Sequence, residues 1–560
     1  MSYEANPRYP VVGGAIDTGF DPAAAEVARE RPRVVAVDGP AALPWDTLAA
    51  SLADALAAHD VEVELEDARR SFASWDEVER RTSASVLPDD PVFARIHEGE
   101  LADLVDRRLG DRERNRTTVV FGPGSALHSH DLLWYADVPK WLSLDRVRKG
   151  LAGNVGQPAG KTGSEQRLLF VDWPMLDRHK QELLPRIDRY LDVGDPANPR
   201  SLAGDALRES LRSLAEGPFR VRPTFFPGPW GGQWLRGRLG IQTDASNLAW
   251  SYELITPESG LLLGGDDAVE VGFELLMAAE GERILGSELA ERFGASFPIR
   301  FDYLDTLDGG HLSIQCHPSE QYAREVFGLP YTQHETYYVV DTTPGAKVFL
   351  GLREDADLKA FRAAAEQAEG RAISFDPERF LQAHPAEQHR LYLIPGGTPH
   401  ASGAGSLVLE ISATPYLYTL RFYDWLRRNL DGELRPVHLD HAFSNLDPTR
   451  RGESVTRELV QEPVVKRSGP GFTELSLGEL DELFFAVDRL EFEDEVVVET
   501  RGRFHVLNLV AGEEIMVETV RGDSHALAYA ETLVIPASVS GYRLERRRGP
   551  ACKVVKALVK

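Results

Sequence analysis

Chemistry-bearing residues concentrate in Gly309–Asp341, GGHLSIQCHPSEQYAREVFGLPYTQHETYYVVD. In a strand, side chains two apart share a face. Gln315 and His317 are therefore expected to point together, and Cys316 into the opposite face. Glu335 opens an otherwise apolar run, TYYVV, where an unpaired charge is costly to bury and a cation would hold it. Farther on, LYLIPGGTPHASGAGSLVLEI places a tight Pro395–Gly396–Gly397 turn just before His400. Each histidine taken singly reads as a satisfied core or loop residue. As a set, Gln315, His317, Glu335 and His400 offer two imidazoles, a carboxylate and an amide oxygen. That mixed nitrogen and oxygen set suits one divalent ion, zinc or a similar metal, with positions left open for water or substrate.

The elements that must position these residues fall into regions of different texture. From about residue 30 to 200, apolar β-branched runs alternate with helical patterns. Arg33–Asp38, Thr117–Phe121 and Arg167–Asp172 read as strands, and Trp45–Ala57 and Met175–Tyr190 as helices. Such alternation predicts an α/β domain with a parallel sheet over residues 1–215. Phe219–Leu235, FRVRPTFFPGPWGGQWL, is a junction whose aromatics want burial. Short β runs follow: Leu312–His317, Thr336–Val340, Lys347–Leu350, Arg390–Ile394 and Leu407–Ile411. A helical insert (352–390, with Asp355–Ala368 continuing through Pro377–Ala383) interrupts them. Residues 446–560 add five more short strands and no recurring ligand spacing, which predicts a metal-free β domain of jelly-roll type.

The motifs LSIQCHP, HETYYVVD followed by PGAKVFLGL, IPGGTPHASGAG and LRFYDW, together with PWGGQWL, resemble those of class I mannose-6-phosphate isomerases. The resemblance runs from about Pro223 to Lys560. It implies a mainly-β double jelly roll of the cupin fold, metal-binding over 216–445, and zinc-dependent aldose–ketose isomerisation of mannose 6-phosphate and fructose 6-phosphate. It also implies that Gln315, His317, Glu335 and His400 hold the zinc and that Arg421 serves catalysis. Two family lysines of the substrate pocket are replaced here by Asp302 and Gln333, which removes positive charge that a sugar phosphate wants. Arg300 and Lys347 are the residues that would compensate. For the base that moves a proton between adjacent carbons of a cis-enediol, Glu410 and His334 are both candidates; Glu410 reads equally as a strand carboxylate paired with an arginine, and His334 as a solvated loop residue. A non-catalytic sugar-binding regulator is the rival implied by the missing lysines.

Val34–Thr47, VVAVDGPAALPWDT, has the strand-then-glycine entry of a phosphate-binding loop, but its Lys and hydroxyl positions are Trp45 and Asp46. With VVFGPGSAL and LLWYADVPKWL, it resembles a nucleoside-kinase-like domain that has lost its nucleotide site. A second near miss, Gly156–Thr162 (GQPAGKT), has too few residues between its glycines and no strand leading in. Lys plus Arg total 62 against 88 Asp plus Glu, a net charge of −26, which disfavours nucleic-acid and anionic-membrane partners. Two cysteines exclude a disulfide framework, no apolar run is long enough to span a bilayer, and MSYEANPRYP lacks the layout of a secretory signal. A cytoplasmic protein with a small sugar phosphate as its partner is the expectation.

Overall fold

Val34–Asp38 and Thr117–Phe121 are buried along their whole length, as strands covered by helices on both faces must be. The computed structural model of the chain describes residues 3–107, 109, 116–158, 160–256, 258–414, 418–429 and 432–560. They divide into two units: Pro7–Leu214 with Gly260–Glu280, and the remainder. Ala159, inside the Gly156–Thr162 segment, lies outside the described residues.

The first unit is built on a seven-stranded sheet. Five of its strands are parallel, in the order Val63–Asp67, which is one edge, Thr117–Phe121, Val34–Asp38, Leu132–Asp137 and Arg189–Asp192. Arg200–Ala203 and Asp17–Thr18 extend it antiparallel. Helix Trp45–Ala58 buries Trp45, Leu48, Leu52 and Leu56, one apolar stripe at helical spacing, against Val35, Val37, Val119 and Phe121. Gly260–Leu263 and Val269–Gly272 form a small sheet with Arg8–Tyr9, so part of the stretch expected in the second domain completes this unit.

The segment Arg167–Asp172 is helical, not a strand: it is a wide turn joining Glu165–Arg167 to Trp173–Leu183. A short apolar run has no periodicity that separates a strand from a buried helix. Ser164 decides it, its side chain accepting from Arg167 N at 3.3 Å to start the first turn.

On this helix Lys180 is buried, and its ammonium reaches Asp137 at 2.8 Å and Glu274 at 2.6 Å. Burial alone would lower its pKa; the two carboxylates instead hold it well above the ordinary lysine value. Removing one partner of such a group leaves the others as uncompensated buried charge. Lys180→Met is expected to destabilise this unit by about 3–5 kcal/mol, measured by denaturant unfolding. Adding Glu274→Gln to it should recover part of the loss.

The second unit is antiparallel throughout its sheets. A six-stranded sheet runs Leu391–Ile394, Glu335–Thr342, Ser406–Ala413, Ile299–Asp305, Trp250–Leu254 and Thr224–Phe226. A five-stranded sheet runs Leu381–Pro385, Lys347–Leu352, His400–Ser402, Ile314–Cys316 and Leu420–Tyr423. Two further sheets, of six and four strands, occupy Val464–Val559 and enclose an apolar interior of residues such as Leu490, Val498, Leu507, Ile515, Leu527 and Val554. Trp230 and Phe219 of the junction are buried, as its aromatic content requires. The helical insert is shorter than expected: Leu358–Arg371 is a helix, started by Asp357 accepting from Lys359 N and Ala360 N. Pro377–Arg379 makes only a single 3-10 turn, and Leu381–Pro385 then pairs as a strand with Lys347–Leu352. No helix among the described residues is long and apolar enough to cross a membrane.

Candidate metal centre

His317, Glu335 and His400 meet where the six- and five-stranded sheets face each other, and they offer ligand atoms all within 4.8 Å of one another. Glu335 begins its strand, and His400 begins its own. His317 follows Ile314–Cys316 directly. The turn between them is docked: Gly397 N donates to His317 O at 2.8 Å, with Gly397 at φ +80°. At Gly396 a Cβ would sit 2.5 Å from Pro318 O, so the close approach of the two segments admits only glycine.

The donor atoms are set by their surroundings. His400 Nδ1 lies 2.8 Å from Thr398 O, and His317 Nδ1 lies 3.3 Å from Tyr418 O. A carbonyl can only accept, so each Nδ1 carries the hydrogen and each Nε2 presents a lone pair. Both Nε2 atoms converge on Glu335 Oε2, at 2.7 Å from His317 and 3.0 Å from His400. Acceptors crowded against an acceptor require something positive between them, and Glu335 Oε1 is itself buried without a hydrogen-bond partner. Burial pushes the His317 imidazole down, towards the neutral form that binds metals. Two neutral imidazoles and a carboxylate fit a divalent ion, and the backbone carbonyls fix both tautomers as a metal site requires.

The other expected residues divide. Gln315 pairs with His400 on one side and Arg421 on the other, so the three share a row of the five-stranded sheet. The Gln315 amide oxygen accepts from Ser313 Oγ at 2.8 Å. Arg421 is half-buried, donates to Pro436 O at 3.3 Å, and has its pKa brought down to about 10 by burial and by Arg435. Cys316 faces away, its thiol 3.7 Å from Ala442 O.

In the six-stranded sheet, Glu335, Ser412 and Arg300 form one row, and Tyr337, Glu410 and Asp302 the next row on the same face. Arg300 donates to Glu410 and to Ser412 Oγ, and its Nε lies 3.4 Å from Asp302 Oδ1. Burial and the nearby carboxylates raise the Glu410 pKa, the Arg300 charge opposing them. Gln333 joins this group, donating from Nε2 to Glu410 at 3.3 Å. Tyr337 and Ser412 were not among the sequence-derived candidates, although stepping by two from Glu335 and Glu410 reaches them.

Two expected residues are not brought to the centre. His334 is buried rather than solvated: its Nδ1 accepts from Gly396 N at 3.2 Å, and its Nε2 is 3.5 Å from Glu320. It precedes Glu335, so the pleat turns it to the other face. Lys347 sits at the sheet margin opposite Pro385 and is half-exposed, its ammonium bound to Glu378 at 2.5 Å.

Comparison with known proteins follows the same division. Residues 19–216 match a domain of unknown function, DUF8485. A mannose-6-phosphate isomerase of Streptococcus mutans is 23% identical over 322 residues, spanning 56% of this chain and 91% of that protein. Mannose-6-phosphate isomerase ManA of Bacillus subtilis is 25% identical over 231 residues, 41% of this chain and 68% of that protein. The crystal structure of the mannose 6-phosphate isomerase from Bacillus subtilis superposes with a TM-score of 0.50 at 19% identity, covering 61% of this chain and 99% of that one. The larger part of this chain therefore has that isomerase's cupin fold.

Removal of one ligand should be visible in metal content. Glu335→Ala, purified beside the unaltered protein and analysed by elemental mass spectrometry, is expected to lose bound divalent metal. Lys347→Ala should retain it.

Proposed function

We propose that the chain is a metal-dependent aldose–ketose isomerase, in which His317, Glu335 and His400, with Gln315 beside them, hold one divalent ion, zinc or a similar metal. The observation that carries this reading is the convergence of two imidazole Nε2 atoms on a buried carboxylate whose second oxygen has no partner. The relatives' names support the reaction class and make mannose 6-phosphate and fructose 6-phosphate the first substrates to try.

When bound, the ion polarises the substrate's carbonyl and neighbouring hydroxyl oxygens. The remaining work belongs to side chains. Glu410 stands one row from Glu335 on the same face, and it is the base we favour over His334, which lies across the pleat. The carboxylate takes the proton from C2; that electron pair forms the C1=C2 bond of a cis-enediol while O1 gains a proton. Returning the proton to C1, with O2 giving up its own, yields the ketose, so no atom or electron is gained overall. Arg421, in the row of Gln315 and His400, offsets negative charge that builds on the oxygens. Arg300 holds Glu410 in place.

The first unit we read as the nucleoside-kinase-like domain without a nucleotide site. Its parallel strand order, with Val34–Asp38 central, supports this. The Asp38 carboxylate accepts from Gly39 N at 2.7 Å, an N–H of the candidate loop itself, and from Gly124 N at 3.2 Å and Ala126 N at 2.8 Å in the loop after Thr117–Phe121, so a carboxylate occupies those donors. A scaffold or regulatory role fits it. A second reading, a sugar-binding regulator without turnover, is favoured by Asp302 and Gln333 standing where the resembled family has lysines.

A coupled assay on zinc-loaded protein, with and without chelator, separates the two: the isomerase reading expects activity that chelation abolishes and zinc restores. Arg421→Ala is expected to lower turnover about 10²–10³-fold, as loss of a charge-stabilising donor does, while metal content stays unchanged. Loss of metal along with activity would make Arg421 structural.

A further inference from the structure

A cavity of about 120 Å³ lies between helix Leu358–Arg371 and the segment that follows strand Leu420–Tyr423. That is room for a group several times the size of a water molecule. Ala365 and Ala368 of the helix, with Phe422, Leu434 and Pro436, give it apolar walls. Asp424, Arg427 and Arg435 line it as well.

Guanidinium groups outnumber their carboxylate here. Arg427 Nη1 and Arg435 Nη1 both donate to Asp424, at 2.9 Å and 2.7 Å. Arg427 is completed by His311 O. Arg435 makes no other side-chain hydrogen bond among the described residues, which leaves its Nε and Nη2 donors open. Arg421 is the third guanidinium, donating to Pro436 O in the cavity wall at 3.3 Å. Burial and the Arg435 charge bring its pKa down to about 10, and Asp424 only partly offsets them. Glu369, at the rim, is exposed, and its carboxyl is raised by burial, Asp440 and Glu366, so it does not serve these arginines. A divalent ion at the metal centre adds positive charge and leaves the excess standing.

The backbone beside the cavity is strained. Trp425 and Leu426 hold φ of +57° and +58°, a left-handed conformation unfavourable for bulky residues. Trp425 is pinned there by Nε1 donating to Leu312 O at 2.8 Å and by the His311 ring stacked at 4.4 Å. The turn sets Arg427 beside Asp424, with Arg427 N donating to Asp424 O at 3.0 Å. Strain held in place by its surroundings is a mark of ligand clamps.

We propose that this cavity is a phosphate-binding subsite, in which the open donors of Arg435 take phosphate oxygens while Arg427 and Asp424 hold Arg435 in position. Three guanidiniums against one carboxylate match a dianion, and the planar guanidinium fork fits phosphate geometry. A free phosphate ion and the phosphate of a sugar phosphate bring the same chemistry. Arg421 shares a row with Gln315 and His400, so the second source joins the subsite to the metal centre. That source, unlike the first, rests on the isomerase reading.

Calorimetry on zinc-loaded full-length protein, with sodium phosphate and separately with mannose 6-phosphate, tests the proposal. Binding of at least one is expected, and Arg435→Gln should weaken it about tenfold or more, as loss of hydrogen bonds to a charged group does. Ala368→Leu, which fills the cavity from the helix without touching the ion pairs, should weaken it too. That variant decides the outcome if Arg435→Gln fails to fold by circular dichroism. Glu335→Ala separates the cavity from the metal centre. Phosphate binding that survives Glu335→Ala but weakens in the cavity variants supports the proposal, whether or not any sugar phosphate is turned over. Binding lost in Glu335→Ala and unmoved in the cavity variants puts the anion on the metal ion; it overturns the proposal and leaves the isomerase reading standing. Binding of neither probe also overturns it. Steady-state kinetics identify the source: a substrate phosphate in the cavity makes Ala368→Leu raise KM for mannose 6-phosphate about tenfold with a smaller change in kcat. With free phosphate as the ligand, KM stays put while phosphate affinity falls.

Discussion

Three lone-pair-bearing groups forced together out of water constrain this part of the chain more than anything else in it. His317, Glu335 and His400 come from separate segments, and their acceptor atoms converge within hydrogen-bond distance. Without positive charge between them the arrangement is unfavourable, since each group has given up hydration and gained a neighbour of like polarity. The surrounding backbone is organised to hold it nevertheless. Thr398 O and Tyr418 O fix the two rings, and the Gly396–Gly397 turn packs on the segment that carries His317. Rigid placement of this kind suits a metal site, whose ligands must be oriented before the ion arrives.

The remainder of the interior follows from that centre. Adjacent rows of the six-stranded sheet place Glu410, Asp302 and Tyr337 on the face that carries Glu335. A second layer of charge this close to the candidate metal centre needs its own compensation, and Arg300 provides it through Glu410, Ser412 and Asp302. The result is a face rich in acceptors with one committed cation.

The first unit manages buried charge in a different way. At the ends of its parallel strands, Asp38 is closed off by backbone N–H groups and by His179 at 3.1 Å. Asp137 and Glu274 share Lys180. Each of these carboxylates has a cationic or N–H partner, although Glu274 Oε2 makes no hydrogen bond.

Much of this was legible from residue types and spacing. Period two put Gln315 and His317 on one face and Cys316 on the other, and the Pro-Gly-Gly turn marked where His400 enters its strand. Alternating textures separated a parallel α/β unit from antiparallel sheets. What the chain order could not reveal is register between strands distant in sequence. Register pairs Glu410 with Asp302 and Tyr337, sets Arg300 between two carboxylates, and sends Lys347 to Glu378 instead of the interior. It also leaves His334 across the pleat from its neighbour Glu335. Arg167–Asp172 misled for a related reason: an apolar run announces burial, but only the cap at Ser164 and the neighbours it packs among decide between helix and strand. Local sequence determines which face a side chain takes along its own strand; which groups meet across strands is decided by pairing, because hydrogen-bonded register is a property of two segments and is written in neither one alone.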